Sequence, residues 1–264
     1  MKSITSRENP LYKEFKHLAT SSQARRKAGR TLLDGVHLCE AYLQHLGLPQ
    51  CCIVSEDSMH HPEVMTLLGN IENTGTQCIS LPDTLYKALS QVEHGVGLMF
   101  IIATPSPEFP AILTASSVVL DNLQDPGNLG SILRSAAAAG IKNVFCSQGT
   151  AFAWSPKVMR AGMGAHFLLN IFENVDLPAL LATARIPVLA TSSHTRQTIY
   201  QTRLDQEVVW LFGHEGQGVS AELMALATET VTIPQQAAIE SLNVAASAAI
   251  CFFEQVRQQL SGTH

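Results

Sequence analysis

The sequence has no apolar run of the ~20 residues that a bilayer-spanning helix requires, so no membrane protein is expected. No basic segment leads into an apolar one after Met1, and no secretory signal is expected. The six cysteines, Cys39, Cys51, Cys52, Cys78, Cys146 and Cys251, contain no C-x-x-C spacing. They read as reduced, mostly buried thiols of a cytoplasmic protein, not as a disulfide or zinc framework. The histidines, His60-His61 included, lack metal-ligand spacing. There is no G-x-G-x-x-G, no G-x-x-x-x-G-K-[ST] and no G-x-S-x-G, so dinucleotide, P-loop and hydrolase readings lack their fingerprints.

What is present is a chain of 264 residues, 46% apolar and 15% charged, enough for one large domain or two ordinary ones. The net charge of −5 is unevenly spread. Residues 1–35 hold eight basic side chains against three acidic ones, a net of +5, which leaves −10 for the remainder. A basic arm on an acidic body is the pattern of a polyanion-binding segment, and equally of a solvated basic helix.

Residues 231–260 organise the rest. From Leu242 the run is apolar on nearly every side, through Ile250, Phe252 and Phe253, and predicts a buried core helix. Ser241 is placed to N-cap it, beside Glu240 and Asn243. That polar cluster is either a site or a well-made capping arrangement.

Short helical and extended pieces alternate before residue 104: helices within 1–30, at 36–46, 64–70 and 83–89, and strands at 31–34, 51–54, 77–81 and 96–103. They predict a small α/β domain over 1–104. The proline-rich stretch 105–116 reads as a linker. Over 117–264 strands are expected at 117–121, 143–146, 166–172, 187–191, 208–212 and 231–233, with helices between. That alternation predicts an α/β domain with a parallel sheet covered on both faces.

In such a sheet ligands bind beyond the carboxyl ends of the strands. Three segments there carry chemistry: Asp125 to Gly130 with Asn128 opening a helix and Arg134 six positions on; the glycine-bracketed Gly213-His214-Glu215-Gly216-Gln217-Gly218; and the start of the core helix. Taken singly, Glu215 reads as a turn carboxylate and Arg134 as a surface or ion-pair residue.

Taken together, LDNLQDPGNLGSILRSAAAAG (120–140), WLFGHEGQGVS (210–220) and IPQQAAIESLNVAASAAI (233–250) resemble, in order and spacing, the three motifs of the SpoU or TrmH-type RNA 2′-O-ribose methyltransferases. SPKVMRAGMGA (155–165) resembles a further element between the first two. The N-terminal part is similar, more loosely, to the ribosomal-protein-like RNA module often fused to this family. Departures fall at His214, where the family usually has Asn, at Gln235 and Ala237, where Met and Gly are usual, and at Gly162, where Ser is common.

The resemblance implies S-adenosylmethionine as methyl donor, a C-terminal trefoil knot, a homodimer and no metal. It implies a ribose 2′-hydroxyl of RNA as acceptor, in ribosomal RNA ahead of transfer RNA. By position the donor would lie against Thr191, Ser192, Gly213, Glu215, Gly216, Gly218, Ile233, Pro234, Gln235 and Leu242. Asn128, Arg134, Glu215, Ser241 and Asn243 would carry the chemistry. Arg25, Arg26, Lys27, Arg30 and Arg160 would meet the RNA. The alternatives are an RNA-binding or ribosome-assembly protein whose methyltransferase domain no longer catalyses, and an α/β enzyme using another adenine nucleotide.

Overall fold

The computed structural model describes residues 1–92, 95–236 and 241–262. The chain divides into two compact units: residues 1–105 with 154–167, and residues 106–153 with 168–264. The segment 154–167, which the sequence places with the C-terminal domain, thus groups with the first unit.

In the first unit β1 (Lys2–Ser3) precedes α1 (Pro10–Thr20) and α2 (Ser22–Ala28), followed by β2 (Arg30–Asp34) and α3 (Val36–His45). Then come β3 (Cys51–Ser55), α4 (Pro62–Ile71), β4 (Gln77–Leu81), α5 (Asp83–Leu89) and β5 (Leu98–Ala103). The five strands order β1-β4-β3-β5-β2, with β5 antiparallel to both β2 and β3. The basic N-terminal stretch is no free arm. Asn9 caps α1 through the Leu11 N–H, and Tyr12, Phe15, Leu18 and Ala19 bury one face of α1 against Ile53, Ile79 and Leu85. Strand β5 begins two residues later than the sequence suggests, and β1 was not foreseen.

In the second unit the strands are β6 (Ser117–Leu120), β7 (Asn143–Cys146), β8 (Asn170–Phe172), β9 (Val188–Thr191), β10 (Val209–Phe212) and β11 (Glu229–Val231). They form one sheet of order β11-β9-β10-β6-β7-β8, and every pairing is parallel. The helices are α6 (Pro126–Ala138), α8 (Leu177–Leu181), α9 (Ala221–Met224) and α10 (Val244–Ser261); α7 (Pro156–Gly162) falls in the first unit. Alternating residues Val119, Phe145, Ala190, Val209 and Leu211 pack with Leu177, Leu180 and Leu223 of α8 and α9. On the other face Trp210 and Phe212 meet Phe252 of α10, the Phe212–Phe252 rings crossing edge to face at 5.8 Å. Both faces are covered, as a parallel sheet requires.

Several expectations are corrected. Residues 166–172 are not one extended segment: Ala165–Leu168 form a 3-10 turn, and only Asn170–Phe172 pair in the sheet. Helix α10 is not buried all round: apolar Phe253 is 48% and Leu260 67% exposed. Its buried side includes polar groups that are satisfied: Gln255 accepts from Trp210 Nε1 at 2.8 Å and donates to Ser116 Oγ and Gln206 O. Buried Glu254 is paired to Arg257 at 2.7 Å. No helix among the described residues is long and apolar enough to cross a membrane.

Candidate functional site

The carboxyl ends of β9, β10 and β11 open into a cavity of about 720 Å³. Its wall includes Thr191, Ser192, Gly213, Glu215, Gly216, Gly218, Ile233, Gln235 and Leu242, together with His214 and Ser241. Of the residues the sequence assigns to a donor pocket, Pro234 alone is not on this wall. Glu240 and Ala237 lie outside the described residues.

Local structure explains the shape. Thr191 Oγ1 donates to Leu211 O at 3.3 Å and Ser192 N to Val231 O at 3.0 Å, so the end of β9 is tied to both neighbours. After β10 the chain turns back on itself, with His214 N to Gly218 O at 3.0 Å and Gly218 N to His214 O at 2.8 Å. A Cβ at Gly213 would lie 2.1 Å from the Gly218 carbonyl, and Gly218 sits at φ +72°, so this turn closes only with glycine at both positions.

Glu215 faces the start of α6. Its carboxylate accepts from Asp125 N at 3.0 Å, Gln124 N at 3.3 Å and Asn128 Nδ2 at 3.2 Å. Burial pushes its carboxyl up. The N–H groups of Asp125 and of Glu215 itself, the Asn128 amide and the Gln124 N–H outweigh that and hold it below the usual carboxylate value. An ionised carboxylate there organises the loop after β6. Asp125 in turn caps α6, accepting from Asn128 N at 2.8 Å, so that helix begins two residues before Asn128.

The start of α10 differs from expectation. Asn243, not Ser241, is the N-cap; its Oδ1 accepts from Ala245 N at 2.9 Å and Ala246 N at 3.2 Å. Either side chain can cap, and the helix begins late enough for Asn243 to take the position. Ser241 is left exposed on the cavity wall. Asn243 Nδ2 then donates to Asn128 Oδ1 at 2.9 Å. Asn128, Glu215 and Asn243 are therefore brought together. Arg134 is not joined to them. Six positions beyond Asn128 on α6, it is exposed and bonds none of the three.

The basic residues separate too. Arg25 is 5% exposed and donates through Nη1 to Leu18 O at 2.6 Å, closing the end of α1, so it is not available to RNA. Arg30 is half-buried and paired to Glu14. Arg26 and Lys27 are exposed at the end of α2, and Arg160 is half-buried in α7. Sequence reasoning gave Asp125 no capping role and missed Gln255, although the Asp-Pro before a helical run was a visible capping signal for the first.

Residues 115–253 match the SpoU rRNA Methylase family. An uncharacterized tRNA/rRNA methyltransferase from Synechocystis sp. is 33% identical over 261 residues, covering 97% of this chain and 94% of that protein. The 23S rRNA (guanosine(2553)-2′-O)-methyltransferase RlmP of Bacillus subtilis is 30% identical over 257 residues, covering 96% and 98%. A solved RNA 2′-O ribose methyltransferase superposes with a TM-score of 0.80 at 29% identity, over 98% of this chain and 99% of that one. The AdoMet complex of the SpoU methyltransferase AviRb from Streptomyces viridochromogenes shares the fold, with a TM-score of 0.87 at 23% identity over 96% and 99%. With the family match spanning more than half the chain and relatives aligned over nearly all of it, the chain belongs to the SpoU rRNA methylase family.

Proposed function

We propose that the protein transfers a methyl group from S-adenosylmethionine to a ribose 2′-hydroxyl of ribosomal RNA, and that the cavity at the ends of β9, β10 and β11 is the donor site. The observation that carries the reading is this cavity in a chain of the SpoU family, walled by glycine turns where backbone can approach a ligand. Its volume lies within the range of about 300–1,000 Å³ usual for cofactor sites. Thr191, Ser192, Gly213, Gly216, Gly218 and Leu242 would hold the donor's adenosine and methionine parts. The donor supplies an electrophilic methyl group on a sulfonium.

The chain's own residues have to orient the ribose and accept developing charge. A guanidinium stays protonated in proteins, so Arg134 is no general base. Its role in this reading is electrostatic, on the developing alkoxide or the adjacent phosphate. Glu215 and Asn243 act as positioning residues by holding Asn128 at the start of α6. Residues 1–104 form the RNA-binding part, with Arg26 and Lys27 meeting phosphate. The trefoil knot, the homodimer and a cytoplasmic location belong to the same reading. Exposed Phe253 and Leu260 support a partner on α10.

The test is calorimetric titration of the full chain with S-adenosylmethionine, followed by mass-spectrometric mapping of methyl groups on ribosomal and transfer RNA. A folded protein that binds no donor sinks the reading. Donor binding without transfer to any RNA would favour an RNA-binding role without catalysis.

A further inference from the structure

His214 stands where the resembling motif usually carries asparagine, and the structure gives its ring a defined task. Nδ1 accepts from the backbone N–H of Gly216 at 3.0 Å and of Gln217 at 3.3 Å. The backbone of the same residue pairs twice with Gly218, so the imidazole fills the turn that its own main chain closes. A ring nitrogen that accepts N–H bonds carries no proton, which places the proton on Nε2 and leaves the ring neutral. Proton uptake at Nδ1 converts the acceptor into a donor facing two N–H groups. The ring then has to leave, and the turn loses its filling.

We propose that His214, as a neutral imidazole, is a positioning residue that shapes the 213–218 turn for the methyl donor, so that donor affinity falls as the solution is acidified. This rests on the reading of the cavity as the donor site. Among the described residues the charged and titratable groups around the turn are few. Glu215 lies on it, with its carboxylate turned to the N–H groups of Gln124 and Asp125. His194 lies on the segment after β9 that shares the cavity wall. Asp121, at the end of β6, accepts from Ser220 N at 2.9 Å beyond the turn. An asparagine at 214 offers an acceptor oxygen that does not titrate, which makes it the discriminating replacement.

The experiment is calorimetric titration of the full-length parent, His214→Asn and His214→Ala with S-adenosylmethionine, between about pH 8 and about pH 5.5, where imidazole groups titrate. The parent's affinity should fall roughly tenfold across that range, the equivalent of between about one and two neutral hydrogen bonds. His214→Asn should bind with little change over the range, and His214→Ala weakly throughout. A parent that binds equally at both ends overturns the proposal. So does the same acid loss in His214→Asn, which would assign the effect to His194 or another group. Failure of the folded parent to bind at about pH 8 sinks the donor-site reading instead. The imidazole nitrogen-15 shifts of His214 then decide the tautomer: an unprotonated Nδ1 at neutral pH upholds the arrangement, and a protonated one overturns it.

Discussion

The side-chain amide of Asn243 donates to Oδ1 of Asn128 at 2.9 Å, joining the starts of α10 and α6 across 115 positions of chain. Because Asn243 Oδ1 also caps α10, one side chain serves both helices. Asn243→Ala should lose about 1 kcal/mol of stability with the cap. Asn243→Asp keeps the cap acceptor but has no N–H for Asn128. It should therefore melt close to the parent yet transfer methyl groups more slowly. Thermal melts paired with single-turnover rates separate the two effects, and parental rates for the aspartate form would show that the Asn128 contact is idle.

Glu215 gives a pH signature. Its carboxyl lies below the ordinary value when folded, so its contribution to stability is present above the unfolded value and lost as pH falls through the folded one. Glu215→Gln should melt below the parent at neutral pH, and the gap should close below about pH 4. Melting curves across that range would contradict this if the gap persisted unchanged in acid.

Arg134 is exposed on α6 and shares no hydrogen bond with Asn128, Glu215 or Asn243. If it steadies charge on the reacting oxygen, its loss should act on the transition state. Arg134→Ala should slow single-turnover transfer by roughly 10²–10³ while donor binding stays unchanged. Arg134→Lys keeps the charge without the planar fork and should recover part of the rate. Near-parental turnover of the alanine form would assign the role elsewhere.

Arg25 and its neighbours should part company. Arg26→Ala with Lys27→Ala should weaken RNA binding and flatten its salt dependence, leaving the melting temperature near the parent's. Arg25→Ala should lower the melting temperature, because buried carbonyls of α1 lose their donor. A stable Arg25→Ala with impaired RNA binding would reverse this assignment.

Much of the architecture was legible because strands such as Val209–Phe212 and Val118–Leu120 are apolar throughout and sit between turn signals. What escaped was decided by neighbours. The two-residue β1 is too short to carry a period, and exists because β4 offers it an edge. Ser241 and Asn243 are equally good caps on paper; only the point where α10 begins selects between them. The run Arg25-Arg26-Lys27 looks uniformly solvated, yet the open end of α1 draws the first of the three inside. The cavity wall was readable from glycine spacing, whereas the hydrogen bonds that Glu215 accepts depend on a loop ninety positions away.

The order of the larger sheet has a consequence for how the protein is made. Its centre joins Ser117–Leu120 to Val209–Phe212 in parallel register, while β7 and β8 extend from the other side of β6. During synthesis β6, β7 and β8 leave the ribosome well before the strand that must sit beside β6. Pairings between distant segments form slowly, and an unpaired strand edge is a template for aggregation while it waits. A nascent chain stopped short of Phe212 would present an open, apolar strand edge to its surroundings, and the part of the cavity wall at Gly213 to Gly218 would still be missing.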